Sequence, residues 1–182
     1  MRNKSEFLIF KCSKHQRHRS ISSITLIIIL LLDRGTKLYV SSIMLLHDSF
    51  PVIDGFFSIT YIRNPGAAFG FLANASHTFL SLFFVVVSAI AIVLLLLLIK
   101  NMKDEQPLFT FSLSLILGGA VGNLIDRVCY GEVIDFLDLH LMSYHWPAFN
   151  VADTSITVGA VILVYQLIVK KREVPGVQIF KE

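Results

Sequence analysis

The chain has 182 residues, of which 54% are hydrophobic and 16% charged, with a formal net charge of +3. Soluble domains carry roughly 25% charged residues, so this balance excludes an ordinary soluble domain and also the charge-rich disordered class. The apolar residues are clumped, and four segments approach the roughly 17–25 residues that a helix needs to cross a bilayer.

Residues 1–20 hold six basic side chains, Arg2, Lys4, Lys11, Lys14, Arg17 and Arg19, together with His15 and His18. They read as a disordered or membrane-surface tail drawn to anionic lipid. The first span runs from about Ile21 to Leu46 around the apolar block Ile24 to Leu32, with Asp33, Arg34 and Lys37 in its later half. A cleaved signal peptide is the competing reading, but charges rather than an Ala-x-Ala-like site follow Leu32.

Phe56 to Arg63 is aromatic and β-branched and ends on the turn signal Asn64-Pro65-Gly66. It reads as a short strand pair that either takes an extended peptide by strand addition or anchors at the membrane interface. The second span, Thr78 to Ile99, is uninterrupted, and the third, Leu108 to Ile125, contains the GxxxG spacing Gly118 to Gly122, which lets another helix approach closely. Arg127 to Asn150 is an outward loop with His140, His145 and Trp146. No third ligand stands at a useful spacing from the two histidines, so interfacial anchoring is preferred to a metal site there. The fourth span is Val151 to Val169, and residues 171–182 form a second tail.

Lys and Arg near helix ends are retained on the cytoplasmic side. Twelve of the 16 lie before the first span, between the second and third, or after the fourth. Both termini are therefore expected in the cytoplasm, with Asp48 to His77 and Arg127 to Asn150 outside. Cys12 and Cys129 then lie on opposite sides of the membrane and cannot bridge within one chain.

Ionisable groups at membrane depth are costly, which makes each a functional candidate. Asp33, Lys37, Asn123, Asp126, Arg127, Asn150 and Asp153 all fall near the outer face, and Asp135 lies in the adjoining loop. Asp33 and Lys37 are four apart and can pair on one helix face, as can Asn123 and Arg127. Hydrolysis of a peptide bond needs a base to activate water and an acid to protonate the leaving group. Two carboxyls too close to ionise together can supply both. Asp135 and Asp153 are the candidates, with Asp153 favoured as base because it sits in the first turn of a helix. The plainer explanation of Asp153 is a helix-start carboxylate with Asn150 as cap. Spacing alone does not bring the two together.

Five strings occur in one order: Asp33-Arg34-Gly35-Thr36-Lys37; Asn64-Pro65-Gly66-Ala67-Ala68-Phe69-Gly70; GGAVGNLIDR from Gly118; GEVIDF from Gly131; and FNVAD from Phe149. Together they make the chain resemble the lipoprotein signal peptidases (signal peptidase II) from about Ile24 to Lys171. The resemblance implies an all-α integral membrane fold of four transmembrane helices with a small extracytoplasmic β-element, residues 21–170 forming the peptidase domain. It implies a monomeric aspartic endopeptidase of the bacterial cytoplasmic membrane, with its site at the extracytoplasmic face. The substrates would be prolipoproteins, cut before a cysteine that already carries diacylglycerol, and the other partners membrane lipids. No metal, organic cofactor or nucleic acid is implied. The catalytic pair falls on Asp135 and Asp153. Supporting positions fall on Asp33, Lys37, Asn64, Asn123, Asp126, Arg127 and Asn150, with Gly66, Ala67 and Ala152 at small positions near the site.

Two other classes compete. A proton-coupled transporter would relay protons through Asp33, Asp126 and Asp153, but it calls for polar groups throughout the membrane depth. A non-catalytic scaffold would leave Asp135 and Asp153 replaceable by Asn.

Overall fold

The computed structural model describes residues 4–66, 76–101, 107–142 and 144–173. The elements in chain order are helix α1 (Lys4–Ile43), strands β1 (Ser49–Ile53) and β2 (Phe57–Asn64), helices α2 (His77–Asn101) and α3 (Pro107–Tyr130), strands β3 (Val133–Leu141) and β4 (Tyr144–His145), and helix α4 (Val151–Glu173). Helices α2, α3 and α4 (over Val151–Val169) are long and apolar enough to cross a membrane by length and composition. Helix α1 carries three charges within its apolar stretch, which set it apart from the others. Its backbone is helical from Lys4, so the helix continues through the segment read from sequence as a tail, and it stops at Ile43, three residues short of the expected Leu46. Just beyond, His47 takes a left-handed φ of 75°.

The helix ends follow from local chemistry. The first turn of α2 is capped by Ser76, whose Oγ accepts from Phe79 N–H at 3.3 Å. Helix α3 opens on Pro107, whose missing N–H costs nothing at a helix start. It closes on Gly131, with φ +78° and its N–H donated to Arg127 O at 3.0 Å, a left-handed C-cap that a side chain would strain.

Helix α3 is the centre of the bundle, because its small residues let both neighbours come close. A Cβ on Gly118 would stand 3.0 Å from the Ile29 side chain of α1. One on Gly122 would stand 2.6 Å from the Asp33 carboxylate, and one on Gly119 would run into Ala152 O, Ser155 and Ile156 of α4. The GxxxG spacing therefore seats α1, and the intervening glycine seats α4. Side-chain hydrogen bonds add to the packing: Ser155 Oγ donates to Leu115 O at 3.1 Å and Ser114 Oγ to Ser22 Oγ at 3.0 Å. Helix α2 is the outlier, with Leu80 as its buried residue. Gly119→Ala is expected to destabilise the fold by about 1–3 kcal/mol through overpacking, read as a lower midpoint of thermal unfolding in detergent.

The strands form one antiparallel sheet in the order β1-β2-β3-β4. Phe56 to Arg63, expected to hold a strand pair, forms the single strand β2, whose hairpin partner is the earlier β1, the two joined through Gly55 (φ +73°). The sequence reading put Asp135 in a loop, and the structure corrects this: Asp135 lies in β3, opposite Ile62 of β2. Residues 133–136 of β3 are buried on both faces, so the strand lacks the alternation that marks a half-exposed one. Val40, Tyr61, Ile134 and Phe136 form a core between sheet and helices.

Candidate active site

The polar residues singled out by sequence converge where α1, α3, β3 and the start of α4 meet. At the base is a closed set of charges. Lys37 Nζ lies 2.9 Å from the Asp33 carboxylate, 2.9 Å from Asp126 Oδ2 and 3.0 Å from Asn123 Oδ1. Asp126 also accepts from the guanidinium of Arg34. Two anions and two cations thus neutralise one another where Asp33, Lys37 and Asp126 are wholly shielded from solvent. Such a set persists only if each member keeps its partners. Spare acceptors fix the backbone: Asp33 Oδ1 receives Ala152 N–H at 3.1 Å and Asp126 Oδ2 receives Ile134 N–H at 3.3 Å. The charge set therefore sets the position of the residues beside Asp135 and Asp153.

Two amides, Asn123 and Asn150, then connect this base to the two carboxyls, and a third, Asn64, holds Asp135 from β2. The Oδ1 of Asn123 accepts from Lys37 and, at 3.3 Å, from Asn150 Nδ2. Its Nδ2 is thereby turned to Asp153 Oδ1, at 2.7 Å. Asn150 uses Oδ1 to cap α4 through Asp153 N–H at 2.9 Å, while Asp153 Oδ2 accepts Asn150 N–H at 3.2 Å, a reciprocal capping pair. The Nδ2 of Asn150 is left to donate to Asp135 Oδ1 at 2.7 Å and to Ile134 O at 3.2 Å. Asn64 takes Gly66 N–H on Oδ1 at 2.7 Å and donates from Nδ2 to Asp135 Oδ2 at 2.8 Å. In each amide one contact dictates which way the other end points.

Asp135 is 2% exposed, whereas Asp153 is only partly buried. Burial, followed by the negative charge of Asp153, pushes the Asp135 carboxyl up to about 7, against the opposing pull of the Asn64 and Asn150 hydrogen bonds. One carboxyl thus holds its proton near neutrality while the other is the more open to water.

Arg127 lies beside both, close enough to feel Asp153 and Asp135 electrostatically. Its Nη1 reaches Asn123 O at 3.5 Å, and its guanidinium stands 5.2 Å from the Phe84 ring centroid. Gly66, at φ +102°, is packed onto the same ring, which would collide with any Cβ there. Ala152 is fully buried against α3. Ala67 lies outside the described residues.

Two contributors escaped the sequence reading. Arg34 completes the charge set, and the cost of a charge at membrane depth, applied to Asp33 and Lys37, singles it out equally. Phe84 sits in a wholly apolar run and carries no sequence signal. The histidines five residues apart prove to be cross-strand partners, with His140 bonded to Ser58 at 3.1 Å, His145 to Asp138 at 3.0 Å, and their rings stacked at 4.7 Å.

The comparisons with known proteins agree with one another. The family model described as signal peptidase (SPase) II matches residues 25–169. The lipoprotein signal peptidase of Syntrophus aciditrophicus is 56% identical over 151 residues, 82% of this chain and 93% of that protein. The lipoprotein signal peptidase of Geobacter sulfurreducens is 50% identical over 143 residues, 79% of this chain and 88% of that one. A solved bacterial membrane enzyme superposes with a TM-score of 0.75 at 31% identity, covering 87% of this chain and 94% of its own. A second reaches 0.71 at 34% identity, covering 80% and 91%. With the motifs of five segments gathered at one junction of helices and sheet, and relatives of this identity along most of its length, the chain belongs to the signal peptidase II family.

Proposed function

We propose that this protein removes signal peptides from diacylglyceryl-modified prolipoproteins by aspartic catalysis, with Asp135 and Asp153 as the catalytic pair. The observation that carries this reading is Asn150. Its side-chain Nδ2 donates to Asp135 Oδ1 and its backbone N–H donates to Asp153 Oδ2, so carboxyls from β3 and α4 meet around one residue. Family membership supports the protease activity and the prolipoprotein substrates.

The chemistry divides between the two groups by environment. Asp153, ionised and open to water, takes a proton as the water oxygen attacks the scissile carbonyl carbon. Asp135 gives its proton to the carbonyl oxygen, forming a tetrahedral diol. When the diol collapses, the C–N bond breaks, the amine takes the proton held by Asp153, and a diol hydroxyl returns a proton to Asp135. Asn64, Asn123 and Asn150 hold both carboxyls in place, and Arg127 provides positive charge beside them. Asp33, Arg34, Lys37 and Asp126 keep α1, α3, β3 and α4 in register, and Gly66 and Ala152 are held small by the Phe84 ring and by α3 packed on them.

Four spans with both termini in the cytoplasm fit this reading. The charges that set α1 apart from the other helices are paired within the protein, so α1 can cross as the others do. The basic residues at both ends and between α2 and α3 support the orientation. The sheet and the two aspartates then lie at the outer interface, where a lipidated cysteine would hold the bond to be cut. The enzyme works as a monomer in contact with membrane lipid, residues 21–170 forming the peptidase domain between cytoplasmic tails.

The test is cleavage of a matched pair of prolipoproteins, with and without diacylglycerol on the cysteine, by the purified full-length protein. Mass spectrometry is expected to find cleavage of the lipidated form alone, leaving the modified cysteine as the new N-terminus. Equal cleavage of both forms, or a cut elsewhere, would count against the assignment.

A further inference from the structure

A cavity of about 510 Å³ lies away from the aspartates, between the last turns of α1 and the β1–β2 hairpin. It falls in the size range of small-molecule sites, roughly 300–1,000 Å³. Val40 of α1, Met44 just beyond its end and Ile59 of β2 line it, and all three belong to the apolar cluster built on Ile134 and Phe136. Those two residues alternate with Asp135 along β3, so the cluster occupies the face of the strand away from the carboxyl. The cavity is thus separated from the reaction by packed side chains.

Its mouth is different in character. Tyr39 (65% exposed), Ile43 (61%) and Phe50 (68%) stand around the opening. They continue the apolar outer surface of α1 formed by Leu31, Leu32 and Leu38. Asp48 is the charged residue in the lining, and its Oδ2 accepts Leu45 N–H at 2.8 Å, which fixes the carboxylate beside the opening.

We infer that this cavity is a binding site for one acyl chain of an outer-leaflet phospholipid whose headgroup carries an ammonium. This rests on the four-span orientation proposed above, which puts the end of α1 at the outer interface. An acyl chain reaches the cavity along α1 without leaving an apolar environment, and filling the cavity removes its apolar lining from water at the interface. The Asp48 carboxylate favours an ammonium-bearing headgroup over an anionic one. A lipid held there would brace the β1–β2 hairpin, and through β2 the strand that carries Asp135.

The experiment uses the full chain in nanodiscs containing equal phosphatidylethanolamine and phosphatidylglycerol, each supplied in turn with a photoreactive acyl chain. Labelling is expected to concentrate on residues 39–59 with phosphatidylethanolamine, and native mass spectrometry to find one such lipid retained per chain, several-fold over phosphatidylglycerol. Ile43→Trp, which fills the mouth, is expected to lose the retained lipid. Asp48→Asn, which keeps the bond to Leu45, is expected to lose the headgroup preference. Labelling spread evenly over the helices, retention unchanged in Ile43→Trp, or labelling of the cavity by the acyl chains of a prolipoprotein instead would overturn the inference. Prolipoprotein cleavage is measured in the same samples. Failure of the wild type to cleave bears on the peptidase reading alone, since lipid retention is read without turnover.

Discussion

Asp135→Asn and Asp153→Asn are each expected to reduce cleavage of a lipidated prolipoprotein by at least about 10²-fold while leaving the fold intact, since general acid–base catalysis contributes roughly 10²–10⁴. The substitution is nearly isosteric, and the remaining amide oxygen keeps one of the two contacts that each carboxylate accepts. In Asp153→Asn that oxygen can still accept from Asn123 or from Asn150 N–H, and α4 remains capped by Asn150. What is lost is the base. In Asp135→Asn the one amide oxygen keeps the donor of either Asn64 or Asn150, the other donor loses its acceptor, and there is no acidic proton to give. Circular dichroism and gel filtration in detergent check the fold. Turnover within a few-fold of wild type in either variant removes that residue from the chemistry, and such turnover in both would place the chemistry on other residues.

The second large effect falls on Lys37, which does no chemistry in this account. Lys37→Met is expected to destabilise the protein by about 3–5 kcal/mol, because removing one partner of a buried ion cluster leaves the others uncompensated. Asp33 would lose the cation it is paired with, and Asp126 would be left to Arg34. The methionine keeps the length and the apolar stem, so the loss reports charge rather than a void. Lys37→Met with Asp33→Asn is expected to recover part of the difference, since it removes the stranded anion as well. Thermal unfolding of the wild type and both variants in one detergent measures this. A single variant that unfolds with the wild type would mean that the cluster contributes nothing to holding the helices together.

What the sequence disclosed here depends on the range of the interaction. Contacts within one element were legible. The Asp33–Lys37 pair follows from a spacing of four, the Asn150 cap from its place before the fourth apolar run, and the close approach at Gly118 and Gly122 from the absence of side chains. Contacts between elements were not. That Lys37 also holds Asp126, or that Asn123 turns one end to Lys37 and the other to Asp153, requires knowing which helix faces which, and no periodicity encodes it. Strand β3 was hidden for another reason. Buried on both sides between β2 and the helices, it shows a nearly continuous apolar run around Asp135, and Gly131 before it resembles loop chemistry although it ends a helix. The set of motifs, rather than any one, pointed to the function.

The shared-proton pair is tested most directly by the pH dependence of kcat/KM on a lipidated prolipoprotein. Asp135, held up to about 7, keeps its proton below that value and loses it above, whereas Asp153 must be ionised to act. A bell-shaped profile is therefore expected, with a falling limb near 7 that belongs to the coupled pair. A rate that stays level or rises as pH passes from 6 to 8 (about one unit either side of that limb) would mean that no carboxyl surrenders a proton there, and the division of labour between β3 and α4 would be wrong.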